Sequence, residues 1–171
     1  VKLSEQGMKP DAVDQILAQW QRERPDLDAS PMGLLGRMAR LAKHLDRSIQ
    51  ATVSEFGLNP GEFDVLATLR RSGAPYQLSP TDLFNALMVS SGTMTHRIDQ
   101  LEQAEWVKRI PDLGDRRGTL IVLTAQGLNL IEQVVEAHVA NGHKILSALK
   151  ESERESLMRL LRKLLLSFEH Y

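Results

Sequence analysis

Residues 90–101, SSGTMTHRIDQL, join a run of small hydrogen-bonding side chains to an apolar helical spacing. Ser90, Ser91, Thr93, Thr95 and His96 offer donors and acceptors with little apolar area, while Ile98 and Leu101 keep one helical face for a core. At the start of a helix, hydroxyl and imidazole groups suit base edges in a major groove, where bulky apolar side chains would waste hydrogen-bonding sites. Backbone N–H groups at a helix N-terminus suit a phosphate, which makes Ser90 and Ser91 candidate backbone clamps. His96, once protonated, becomes a phosphate contact instead of a base reader. The competing reading is a capped, solvent-exposed helix, and this segment alone does not separate the two.

A second group of charges lies downstream. Lys108, Arg109, Arg116 and Arg117 stand against Asp112 and Asp115, so the stretch is locally basic in a chain whose formal net charge is -1. An arginine at the tip of such a loop can enter a narrow minor groove, where the potential is most negative, with Asp115 orienting it from the side. A charged loop is more often simply solvated; its position just after SSGTMTHRIDQL favours binding.

Other chemistry finds little support. The absence of cysteine excludes disulfides and limits a metal site to His, Asp and Glu. His138 and His143 are five apart, not the four that aligns two ligands on a helix, and His44, His96 and His170 have no ligand cluster near them in sequence. GLLG at 33–36 lacks phosphate-loop spacing, and SSG at 90–92 lacks the preceding glycine of a nucleophile elbow. The expectation is a protein that is not an enzyme and uses no metal or cofactor. Without a signal-like start or a run of about 20 apolar residues, the expected location is the cytoplasm, away from membranes.

The elements that must position these groups follow from periodicity. Val13, Ile16, Leu17 and Trp20 predict a first helix over 11–24, stopped by Pro25. Ser30 and Pro31 predict the start of a long second helix carrying Leu34, Met38, Leu41, Leu45 and Ile49 as far as Gly57. Asn59 and Pro60 open a third helix that ends at Gly73 and Pro75, and Ser79 with Asp82 resembles a capping box before TDLFNALM. A turn of about three residues separates that short helix from the quoted segment, the layout of a helix-turn-helix. WVKRIP and TLIVLT, flanking DLGDRRG, predict a β-hairpin, and the chain from Thr124 onward predicts two more helices, the last beginning near Ser152. Three helices, a helix-turn-helix, a hairpin and two helices make a mainly α fold with a small β-hairpin wing.

The stretch LSPTDLFNALMVSSGTMTHRIDQLEQAEWVKRIPDLGDRRGTLIVLTAQG resembles the DNA-binding half of the MarR family of bacterial transcriptional regulators. The recognition helix, the DRR of the wing at 115–117 and the LTAQG entry to the next helix carry the likeness. It implies a single domain over 1–171, with a winged helix-turn-helix lobe at 59–123 and a helical dimerisation region at 10–58 and 124–171. It also implies a homodimer on the pseudo-palindromic operator of a double-stranded DNA, usually a repressor relieved by a small molecule.

LAQWQRERPDLD and GEFDVLATLRRSGAPYQLSP further resemble the urate-responsive branch of that family. The likeness implies ligand contacts at Trp20, Asp64, Arg97 and Arg109. Their chemistry suits a flat anion: an aromatic wall, planar Arg donors, and a carboxylate that repels charge or accepts from ring N–H groups. Each residue also has a plainer reading, Trp20 as helix packing, Asp64 as half of a structural ion pair, and either arginine as a phosphate contact. Phenolic or other aromatic carboxylate ligands, and a winged-helix protein-interaction module that reads no DNA, stand as alternatives.

Overall fold

The computed structural model describes residues 9–87, 90–115 and 118–169, with Ser91 described by its backbone alone. Arg116, Arg117, His170 and the Ser91 side chain therefore lie outside the described residues. The chain divides inside one long helix into a unit ending at Ser48 and a unit beginning at Ile49.

In the first unit, α1 (Ala12–Glu23) opens on Asp11, whose carboxylate accepts from the backbone N–H of Val13 at 2.7 Å and of Asp14 at 3.0 Å. Asp14 returns the bond to Asp11 N–H, completing a capping box. Arg37 on α2 (Ser30–Ser54) then pairs with both carboxylates, at 2.8 Å to Asp11 and 2.5 Å to Asp14. The N-cap of α2 differs from expectation. Ser30 is already helical, and Asp28 accepts from its N–H at 3.0 Å, so the carboxylate two residues earlier closes the helix end.

The second unit holds the larger core. Asn59 and Glu62 cap α3 (Pro60–Arg71) reciprocally, and Ser79 with Asp82 does the same for α4 (Pro80–Leu87). Next come α5 (Ser91–Gln103), β2 (Val107–Pro111), β3 (Thr119–Leu123), α6 (Ala125–Ile145) and α7 (Glu151–Leu166). Val65, Leu66 and Leu69 of α3, Leu83 of α4, Met94, Ile98 and Leu101 of α5, Ile121 of β3, and Ile131 and Val134 of α6 are buried together. Each such side chain contributes about 1.5–3 kcal/mol on burial, so this cluster fixes the angle at which α5 is presented.

Two features exceed the sequence reading. Gln77 and Leu78 form a two-residue strand, β1, that pairs antiparallel with Val122 and Ile121, giving a three-stranded sheet in the order β1-β3-β2. The wing is thereby anchored on its inner side, while Arg109↔Ile121 and Pro111↔Thr119 set the hairpin register. At the other end, α7 starts at Glu151, next to the expected Ser152, with Glu153 accepting from Lys150 N–H at 2.7 Å, and a short 3-10 turn, Leu146–Ala148, precedes it. Along α7, Leu157, Met158, Leu160, Leu161, Leu164 and Leu165 are all exposed.

Candidate nucleic-acid interface and anion site

Helix α5 sorts its residues by face. Met94, Ile98 and Leu101 lie in the core, whereas Thr93, Thr95, His96, Asp99, Gln100 and Gln103 are exposed. Ser90 is the N-cap: its Oγ accepts from Thr93 N–H at 3.3 Å and shares a hydrogen bond with Thr93 Oγ1 at 2.8 Å. The capping alternative is thus realised at Ser90, with Thr93 tied back to it. Thr95 and His96 remain on the outward face. Gln100 and Gln103 share that face and escaped the sequence reading, although their helical spacing from His96 was a usable signal.

The wing tip is a hydrogen-bonded turn. Asp112 N–H donates to Gly118 O at 3.0 Å, Gly118 N–H to Asp115 O at 2.8 Å, and Gly114 N–H to Asp112 Oδ1 at 2.8 Å. Asp112 is therefore part of the scaffold. Lys108 on β2 is exposed. Arg109, its neighbour, reaches back to α5: its guanidinium donates to Asp99 at 2.5 Å and to Glu102, and Glu102 also accepts from the Arg109 backbone N–H at 3.0 Å. Partial burial opposes the charge on Arg109, but the two carboxylates outweigh it and hold the guanidinium above its ordinary value. This clasp fastens the wing strand to the recognition helix.

A different group forms where α3, α5 and α6 pack. A Cβ on Gly61 would stand 2.5 Å from Arg97 Nε and 2.6 Å from its Cζ, so the guanidinium rests directly against the first turn of α3. Arg97 Nη1 is buried and makes no hydrogen bond among the described residues. Burial raises the Asp64 carboxyl above its ordinary value, with Arg97, His138 and Arg71 pulling the other way. The His138 ring packs on Phe63 at a centroid distance of 4.9 Å and a 36° tilt, and its Nδ1 is likewise buried without a hydrogen bond.

Asp64 and Arg97 are thus brought together, whereas Arg109 is engaged with Asp99 and Glu102. Trp20 lies on α1, in the first unit, with an exposed indole. Sequence reasoning missed Gly61 and His138 at this site, because no spacing along the chain relates them to Asp64. No group of three or more His, Asp or Glu side chains among the described residues is placed to hold a metal ion.

Residues 58–119, which run from the start of α3 into the wing, match the model of the MarR family. The chain is 48% identical over 149 residues to the HTH-type transcriptional regulator PecS of Dickeya dadantii, covering 87% of this chain and 90% of that one. Among solved structures, a MarR variant from E. coli complexed with operator DNA is similar at a TM-score of 0.69 and 26% identity, covering 91% of this chain and 99% of that one. AbsC, a MarR family regulator from Streptomyces coelicolor, shares the fold at a TM-score of 0.77 and 23% identity, over 85% of this chain and 98% of its own. The chain belongs to the MarR family and is a winged helix-turn-helix, DNA-binding transcriptional regulator.

Proposed function

We propose that the protein is a dimeric repressor that grips a pseudo-palindromic operator and lets go when a small planar anion, urate in the first instance, occupies the site around Asp64 and Arg97. The carrying observation is that Arg97 belongs both to the recognition helix and to the positive surroundings of the Asp64 carboxyl, whose pKa desolvation raises. An anion that draws on Arg97 acts directly on the element that meets DNA, so occupancy and operator affinity are coupled through one side chain.

On the DNA side, Ser90, Ser91, Thr93, Thr95 and His96 read or clamp the major groove, and Arg116 with Arg117 enters or flanks the minor groove. The exposed position of Thr95 and His96 supports this reading. Arg109 gives the ligand a second lever: an anion recruiting it competes with Asp99 and Glu102 and loosens the wing from α5. Dimerisation is supported by α7, where leucines recur from Leu157 to Leu166 without protein cover in the single chain. Among the described residues no helix is long and apolar enough to cross a membrane.

The test is fluorescence anisotropy on a labelled duplex from upstream of the protein's own gene, with a scrambled duplex as control and urate titrated into the complex. Specific binding reversed by urate supports the whole reading. Specific binding indifferent to urate removes urate and turns the titration to aromatic carboxylates such as salicylate.

A further inference from the structure

Two buried groups packed against α3 carry unspent hydrogen-bonding capacity. Arg97 on α5, against Gly61, offers a buried Nη1 donor, and His138 on α6, against Phe63, a buried Nδ1; both act on the Asp64 carboxyl of α3. A buried polar atom that makes no hydrogen bond destabilises the fold, more so when charged, and a bound group that supplies the missing partner relieves it. The Phe63 ring holds the imidazole from one side, which fixes its plane while leaving Nδ1 without a protein acceptor. Arg97 cannot retreat toward α3, because Gly61 is already in contact with its guanidinium.

Resting on the effector reading above, we propose that His138 is a ligand-binding residue of the same site, its Nδ1 hydrogen-bonding a planar oxoanion whose other edge is taken by Arg97 Nη1. The occupant is a flat ring bearing an anionic oxygen and a neighbouring ring nitrogen or oxygen, so that two in-plane atoms meet two in-plane partners. His138 contributes direction to binding, while the charge complement comes from Arg97. Because burial already disfavours the ionised Asp64 carboxyl, an anion arriving beside it must be compensated by Arg97 or by protonation of Asp64.

Three substitutions separate binding from packing. H138N keeps a polar atom close to the Nδ1 position, H138Q moves it toward the Nε2 position, and H138F keeps a ring against Phe63 with no polar atom. Urate binding to each full-length variant is measured by calorimetry, alongside operator affinity without ligand and thermal midpoint. The expected result is a loss of urate affinity of about tenfold or more in H138F and H138Q. H138N should stay within a few-fold of wild type, and ligand-free operator binding should be unchanged in all three. In wild type, the 15N shift of His138 Nδ1 should move on urate addition. Equal urate affinity in H138F and wild type, with no shift at Nδ1, overturns the role of His138 alone. Equal losses in H138N and H138F together with a lowered midpoint also overturn it, in favour of packing. A wild type that binds no urate, with salicylate equally inert, overturns the effector site and this inference with it.

Discussion

Gly127→Ala is expected to unfasten the junction between the wing and α6. The second residue after Ala125 in α6 passes so close to the turn between α5 and β2 that a Cβ at Gly127 would stand 1.9 Å from Trp106 O, 2.8 Å from its C and 3.1 Å from its Cα. These are backbone atoms, so no side chain can swing aside. Ordinary contact needs about 3.5 Å, and the two segments must therefore part by more than about 1 Å. The same Trp106 carbonyl accepts from Thr124 N–H at 3.1 Å and Thr124 Oγ1 at 3.3 Å, while Thr124 Oγ1 caps α6 by accepting from Gly127 N–H at 3.0 Å. Overpacking costs about 1–3 kcal/mol. Weakening two or three of these hydrogen bonds adds about 0.5–1.5 kcal/mol each. The gain in helix propensity from Gly to Ala returns about 1 kcal/mol. A net loss of about 3 kcal/mol follows, read by urea denaturation followed by far-UV circular dichroism at one fixed protomer concentration, since dimerisation would contribute to the midpoint. A loss below about 1 kcal/mol would refute the reasoning, because the backbone would then have room that the close approach denies it.

Other consequences are testable in parallel. Because the Asp64 carboxyl is raised in the folded protein, its ionisation at neutral pH opposes folding; Asp64→Asn should therefore be more stable than wild type at pH 7, with the difference vanishing as pH falls into the ordinary carboxylate range. Denaturation curves of both proteins across that range check the sign, and a wild type more stable at neutral pH would contradict it. Arg109→Met removes the clasp to Asp99 and Glu102 and should weaken operator binding several-fold in anisotropy titrations while leaving the midpoint nearly unchanged, since exposed ion pairs add little to stability. Unaltered operator affinity with abolished urate binding would instead make Arg109 a ligand contact only. The pair Leu161→Glu and Leu165→Glu, one helical turn apart on the exposed α7, should convert the proposed dimer to a species of half the mass in light scattering; an unchanged mass would move the interface elsewhere.

The amino-acid sequence determined most of the architecture because its signals are local. Asn59 with Glu62 and Ser79 with Asp82 mark helix starts through bonds that span only three residues, and the Met94, Ile98, Leu101 spacing declares the buried face of α5 before any partner is known. The resemblance carried by DRR and LTAQG led to the family, and Gly127 in the second motif has a physical reason in the carbonyl of Trp106. Two residues of strand are too short to show a period, so β1 at Gln77 and Leu78 depended on β3 offering an edge about 44 residues later. The same holds for the anion site. Gly61, Asp64, Arg97 and His138 lie on three helices, and only the packing of α3 against α5 and α6 makes neighbours of them. Arg109 illustrates the division most sharply: its charge and strand were legible from residue order, but its engagement with Asp99 and Glu102 depended on register, which sets it opposite Ile121 in β3 and within reach of α5. Caps and periodicity are written in neighbours a few residues apart; a site assembled from distant segments exists only once burial of the core has fixed their distances.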